Sequence, residues 1–264
     1  MRRTSVNDNQ RAIRNLDLLK VFLRSFLIQA SWSYDRMQSL GFAYAIQPVL
    51  QRLYPEREEY RSRLDLHMEY FNTQPYLAAF ILGATARMEL ERASGRDRDA
   101  DISGLKSALM APLGALGDSF FWGALTPLAA VIAVAVLMTG AWWAPLLFLV
   151  LYNSWHVGLR AEVFVWGYQS AGDAVALMAR YSFTKMARLF KAVSLAVIGG
   201  VLGMASNWRP ELKLTIFPPG FVNVAAGLVI TLVLVVVLRK GGSPVKLMLG
   251  LAGICLALAY TGVG

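Results

Sequence analysis

GLKSALMAPLGALGDSFFWGALTP, residues 104–127, decides how the chain folds. Its apolar residues are interrupted by Gly104, Pro112, Gly114, Gly117, Gly123 and Pro127, residue types that weaken or kink a helix interior. In a bilayer every backbone polar group needs a partner, so irregular backbone survives only where protein covers it or a water-filled cavity adjoins it. Broken helices of this kind surround transport sites. The stretch therefore predicts a Gly/Pro-broken, re-entrant helical hairpin. A surface hairpin feeding the first true span is the alternative that composition leaves open.

C-terminal to it, hydropathy marks membrane spans. Residues 120–139 read as one span and 142–159 as a weaker one, followed by 192–206, 222–238 and 245–261. Each approaches the roughly 20 apolar residues that cross a bilayer. Arg180, Lys185, Arg188 and Lys191 form one basic cluster, and Arg239, Lys240 and Lys246 a second. Basic loops stay cytoplasmic, which places the 207–220 loop and the C-terminus outside. The single cysteine, Cys255, lies in an apolar run and reads as a small packing residue.

Before residue 105 the character changes. Residues 1–119 hold 16 of the 26 basic and 14 of the 17 acidic residues, and no uninterrupted apolar run there is long enough to span. Residues 16–37 set Leu16, Leu19, Leu23, Phe26, Leu27, Ala30, Tyr34 and Met37 at three- and four-residue spacing, which predicts one amphipathic helix. Residues 75–90 read as a second helix, 55–65 as a solvated charged segment and 93–104 as a polar loop. The first twenty residues are polar and show no signal-peptide pattern, so the N-terminus is expected in the cytoplasm. The division expected is an interfacial amphipathic region (1–103), a broken-helix core with spans (104–191) and C-terminal transmembrane helices (192–264). The fold class is all-α and polytopic, ending in a transmembrane bundle.

With 56% apolar and 16% charged residues the chain is too hydrophobic for an ordinary soluble fold. A net charge of +9 is read as helix orientation rather than nucleic-acid binding, because no aromatic platform interleaves the basic residues. His67 and His156 lack both a phosphate-cradling loop and metal-ligand spacing. Neither a phosphoryl-carrying residue, a metal nor a cofactor is expected.

Several blocks resemble one family. FLRSFLIQASWSYDRMQSLGFAYAIQPVLQRLY (22–54), LHMEYFNTQPYLAAFILGATARME (66–89), the 104–127 stretch and WGYQSAG (166–172) are similar, in order and spacing, to IID subunits of mannose, fructose and sorbose permeases of the phosphotransferase system. The resemblance implies a protein of the bacterial inner membrane that pairs with a IIC subunit. Such pairs translocate a hexose-type sugar, phosphorylated by separate IIA and IIB proteins, and assemble into larger oligomers. Departures stand at Ser33 and Asp35, where the family has Asn and Glu, and at Ala111 and Thr126, where it has Gly and Arg. The 153–172 region departs as well, and the departures at Ala111, Thr126 and 153–172 motivate the alternative of a sugar-sensing or regulatory subunit that does not translocate.

Candidate substrate-binding residues follow from sugar chemistry. Asp35, on what reads as an apolar helix beside Trp32, is costly there unless it meets a partner or water. A carboxylate accepts two hydroxyl hydrogen bonds and an indole covers a sugar's apolar face. An internal ion pair with Arg36 is the bland reading. Gln29 and Gln38 flank Asp35. Asn72 and Thr73, with Gln74, precede Pro75 and read equally as a helix cap or as sugar ligands. Asp118 and Ser119 follow Gly117, where a helix start is expected, as an N-cap, a substrate contact, or both.

Overall fold

The computed structural model describes residues 12–96, 101–170, 182–205 and 221–260, with side chains not described at 205, 221, 223 and 255–260. The 207–220 loop, the end of the WGYQSAG block and the Cys255 side chain fall outside this set. Among the described residues every element of regular secondary structure is helical. The order is α1 (Asn15–Ser25), α2 (Ser39–Leu53), α3 (Arg57–His67), α4 (Ala78–Ala93), α5 (Ile102–Gly117), a π-helical stretch (Asp118–Leu125), α6 (Thr126–Leu137), α7 (Ala144–Ser170), α8 (Phe183–Ala205), α9 (Phe221–Arg239) and α10 (Pro244–Tyr260). The all-α reading holds. Among the described residues two helical runs are long and apolar enough to cross a bilayer, Ile102–Leu137 and Phe183–Met204, with shorter apolar helices at Val224–Arg239 and Pro244–Ile254.

The chain forms two compact units, Met1–Thr126 with Leu149–Ala187, and Pro127–Phe148 with Arg188–Gly264. The first has a conventional core: Val21 and Ile28, Phe42, Ile46, Val49 and Leu50 of α2, Phe71, and Leu77 to Leu82 at the start of α4 are all buried. Helix α2 packs against α1, α3 and α4. Two glycines let α4 and α7 approach closely in this unit. A Cβ on Gly83 of α4 would sit 2.2 Å from the Phe164 carbonyl oxygen, and one on Gly167 of α7 would sit 2.2 Å from that of Phe80, so α4 and α7 meet backbone to backbone. The second unit turns many large apolar side chains outward, among them Val229, Ile230, Leu232 and Val233 of α9 and Met248 and Leu249 of α10. That pattern suits lipid rather than water.

Three sequence expectations need correction. The helix expected over 16–37 ends at Ser25; tight turns follow, and Ser33 and Met37 pair backbone to backbone. The reason is tertiary: the backbone of Ile28 lies against Gly41 of α2, where a Cβ would fall 2.0 Å from the Ile28 oxygen. The charged segment 55–65 is solvated as expected, but it is not a break between helices: from Arg57 it forms α3, whose last residue, His67, is buried. The third concerns residues 104–127, which run as one helix without reversing and belong to a continuous 36-residue run. Their interruption is the π-helical stretch. Gly117, at φ −66°, is ordinary helix, and its missing side chain leaves room for Gln74, whose Cβ would lie 2.5 Å from an added methyl. Pro127 lacks an N–H and its ring crowds the preceding turn, a clash that the wider π-helical turn relieves.

Candidate functional site

One face of α5 and its π-helical continuation forms the wall of a cavity of about 530 Å³. Ser107, Met110, Ala111, Gly114, Ala115, Asp118 and Trp122 lie three or four positions apart along that wall, the spacing that aligns side chains on a helix. Opposite stand Gln29, Gln38, Tyr70, Asn72, Thr73 and Pro75. The cavity thus brings together Gln29, Gln38, Asn72, Thr73 and Asp118. Trp32 and Asp35 lie in the exposed turn at 31–36 and Ser119 on α5's continuation, all three outside the lining.

The opposing wall is fixed by hydrogen bonds that consume some of these groups. Gln38 Nε2 donates to the Thr73 carbonyl at 2.7 Å, and its Oε1 accepts from the Thr73 N–H at 3.2 Å. Its main-chain N–H donates to the Phe71 carbonyl at 2.8 Å. Gln38 therefore acts as a clamp on the 71–73 backbone. Met37, just before it, sits at φ 53°, a left-handed conformation uncommon for a side chain of its size. Thr73 Oγ1 donates to the Met110 carbonyl at 2.9 Å, docking the segment on α5. Gln74 Oε1 accepts from the N–H groups of Tyr76 and Leu77 at 2.8 and 3.0 Å, closing the turn at 75–77 that leads into α4.

Asp118 is no N-cap. Helix α5 is capped by Asp101, whose carboxylate accepts from Gly104 N–H at 2.7 Å, and the run continues through Asp118, so the helix start expected there does not exist. What remains available to a ligand is the Asp118 carboxylate, the Asn72 and Gln29 amides and the Ser107 hydroxyl, all exposed on the cavity. None of these four side chains hydrogen-bonds to another described residue. Tyr70 and Trp122, each about half exposed, add aromatic faces. Trp122, Tyr70 and Ser107 were not singled out by sequence reasoning, although the three- and four-residue spacing from Ser107 to Trp122 was there to read.

A second polar cluster joins α3 and α4. Glu89 is buried and accepts from Tyr54 Oη at 2.6 Å, Arg63 Nη2 at 2.5 Å and Nε at 3.2 Å, and His67 Nε2 at 2.8 Å. Burial alone would raise the Glu89 carboxyl, but hydrogen bonds from His67 and Arg63 outweigh it and hold the group at about 2. Burial lowers the His67 pKa, with the Glu89 contact opposing, so a neutral ring donating Nε2–H to the carboxylate fits the cluster. Lys106, buried, donates to Glu69 at 2.8 Å. Among the described residues no group of three or more His, Cys, Asp and Glu side chains could hold a metal ion.

The family model described as the PTS system mannose/fructose/sorbose family IID component matches residues 12–263. The chain belongs to this IID family. It is 37% identical over 201 residues to the mannose-specific EIID component of Escherichia coli K12, covering 75% of this chain and 71% of that one. The sorbose-specific EIID component of Klebsiella pneumoniae is 33% identical over 191 residues, with 72% and 70% covered. A chain in the cryo-EM structure of the mannose transporter ManYZ with microcin E492 superposes with a TM-score of 0.59 at 32% identity, over 95% of this chain and 98% of that one. As a IID component this chain is a membrane protein of a sugar-transporting phosphotransferase system.

Proposed function

We propose that the cavity on α5 is this chain's share of a sugar site, and that a IIC subunit completes it. The observation that carries the reading is the pairing of Asp118 with Trp122 on one helix face, beside the uncommitted Asn72, Gln29 and Ser107 side chains. A carboxylate accepts two vicinal hydroxyls, amides both donate and accept, and an indole covers the apolar face of a pyranose. None of the lining residues is basic, which favours a neutral hexose over a sugar phosphate. That preference accords with phosphorylation by IIA and IIB on the cytoplasmic side after the sugar has been bound. The half-exposed Tyr70 and Trp122 leave an open side for the partner.

In this reading the chain crosses the bacterial inner membrane several times. The basic clusters at Lys185–Lys191 and Arg239–Lys246 and the N-terminus face the cytoplasm, and the C-terminus lies outside. The interfacial region is 1–103, the core 104–191 and the C-terminal spans 192–264. IIC–IID pairs assemble further into an oligomer.

A binding screen of mannose, fructose and sorbose on the co-expressed IIC–IID complex tests the proposal. Asp118→Asn should weaken binding of the preferred sugar about tenfold or more, the loss of a charged hydrogen-bond acceptor. Unchanged affinity in a folded complex would remove the cavity from the site. Vesicle uptake with the phosphoryl donors present separates transport from sensing: sugar that binds without accumulating would make the chain a sensing subunit.

A further inference from the structure

Helix α7 carries a guanidinium that is buried, with 2% of the residue exposed, and has no carboxylate partner among the described residues. Arg160 Nη2 donates to the Ser25 carbonyl at 2.5 Å and to the Pro75 carbonyl at 3.1 Å. Its Nη1 lies 3.3 Å from His156 Nε2, its Cζ stands 4.3 Å from the centre of the Phe26 ring, and its Nε has no partner. Burying a charge against neutral carbonyls is costly. A buried guanidinium that no carboxylate offsets calls for a structural or functional reason, so the question is what this one holds.

It holds two pieces of backbone that belong to the cavity. Ser25 ends α1, where the helix dipole favours a cation; its carbonyl also accepts from the Ile28 N–H at 3.1 Å. Gln29 of the cavity follows four residues later. Pro75 lines the cavity itself and stands three residues after Asn72. One nitrogen of one side chain therefore bridges the segment that carries Gln29 and the segment that carries Asn72 and Thr73. Phe26 and Tyr76, the residues immediately after Ser25 and Pro75, both place rings over the guanidinium.

We infer that Arg160 is a positioning residue for sugar recognition: it sets the spacing of the two backbone segments that present Gln29 and Asn72, without touching the sugar. The inference rests on the cavity being the sugar site. Lysine keeps the charge but lacks the flat face that stacks on Phe26, whereas glutamine loses the charge as well.

Uptake kinetics of the full-length chain with its IIC partner in vesicles, using labelled mannose, fructose and sorbose with phosphoryl donors, give the test. KM should rise about threefold in Arg160→Lys and about tenfold in Arg160→Gln, from the loss of charge-assisted hydrogen bonds. Maximal uptake per folded complex should stay within about twofold of wild type. A merely structural arginine would lower the amount of folded complex and leave KM unchanged. Asp118→Asn and Trp122→Ala run alongside. If these raise KM while folded Arg160 variants keep the wild-type value, the positioning role is overturned and the cavity stands. If all four leave KM unchanged, the cavity reading falls and takes this inference with it. Should the Arg160 variants not fold, Phe26→Leu removes only the stacked ring and should raise KM about twofold; an unchanged KM there overturns the inference.

Discussion

Glu89 and Asp118 belong to the same compact unit and differ in everything but charge. Glu89 is buried, and hydrogen bonds from Tyr54, Arg63 and His67 take up both its oxygens. Asp118 is exposed on a cavity wall and hydrogen-bonds to no other described residue. A carboxylate whose acceptor capacity is filled by its own protein stabilises that protein and offers nothing further. One that faces a cavity with its lone pairs unused has capacity for the hydroxyls of a ligand. The contrast divides the polar residues of this unit into those that hold α3 and α4 together and those left available to a ligand.

The contrast breaks hardest at Glu89. Glu89→Gln should destabilise the folded chain by about 3–5 kcal/mol, because Arg63 then loses its anion inside the protein. Thermal unfolding of the purified complex measures this, and sugar affinity of the molecules that remain folded should change less than twofold. Acid should act on the same cluster. Both Glu89 and His67 have folded pKa values below their ordinary ones, so each binds protons more readily when unfolded. Their stabilisation is present above their unfolded values and is lost as pH falls. The wild type should start to lose stability below about 6.5 as His67 becomes protonated on unfolding, and more steeply below about 4.5 as Glu89 follows. Glu89→Gln should flatten the lower part of that profile.

At the cavity the signature should invert. Asp118→Asn is expected to weaken sugar binding about tenfold or more while leaving unfolding within about 0.5 kcal/mol of wild type. Trp122→Ala, which removes a half-exposed ring, should weaken binding about fivefold with little change in stability. Isothermal titration of the complex beside its melting curve shows both effects. If Asp118→Asn lowered stability and spared binding, the division would be wrong at the residue on which it depends most.

Much of the architecture was legible in the sequence because bilayer physics leaves a simple trace. Long apolar runs marked α8, α9 and α10, and the density of charge marked the first hundred residues as different. The glycines of 104–127 were misread because glycine has two uses that look alike in a sequence. In the sequence Gly117 reads as a break, yet it serves close packing against Gln74. At the site, Asp118, Asn72 and Gln29 were identifiable as polar groups among apolar and aromatic neighbours. Gln38 was identifiable too, but not its work as a clamp, which depends on backbone 35 residues away. Arg160 reaches Ser25 across 135 residues, and no local pattern encodes such a contact.

The smallest expected effect concerns the residue that the sequence placed first. Asp35 was singled out because a carboxylate on an apolar helix would be costly, and that premise required residues 16–37 to be one helix. The helix ends at Ser25, and Asp35 sits in a turn closed by the Ser33 and Met37 backbone pair, with N–H to carbonyl distances of 3.1 and 2.8 Å. There it is exposed and does not line the cavity, so water can solvate it and no ligand is needed to offset a desolvation cost. Asp35→Asn should therefore leave sugar affinity within about twofold of wild type, and stability within about 0.5 kcal/mol. A tenfold loss of affinity in a correctly assembled complex would mean that the 31–37 turn reaches the sugar. An exposed carboxylate outside the cavity would then bind ligand, and position on the cavity wall would no longer separate the two kinds of acid.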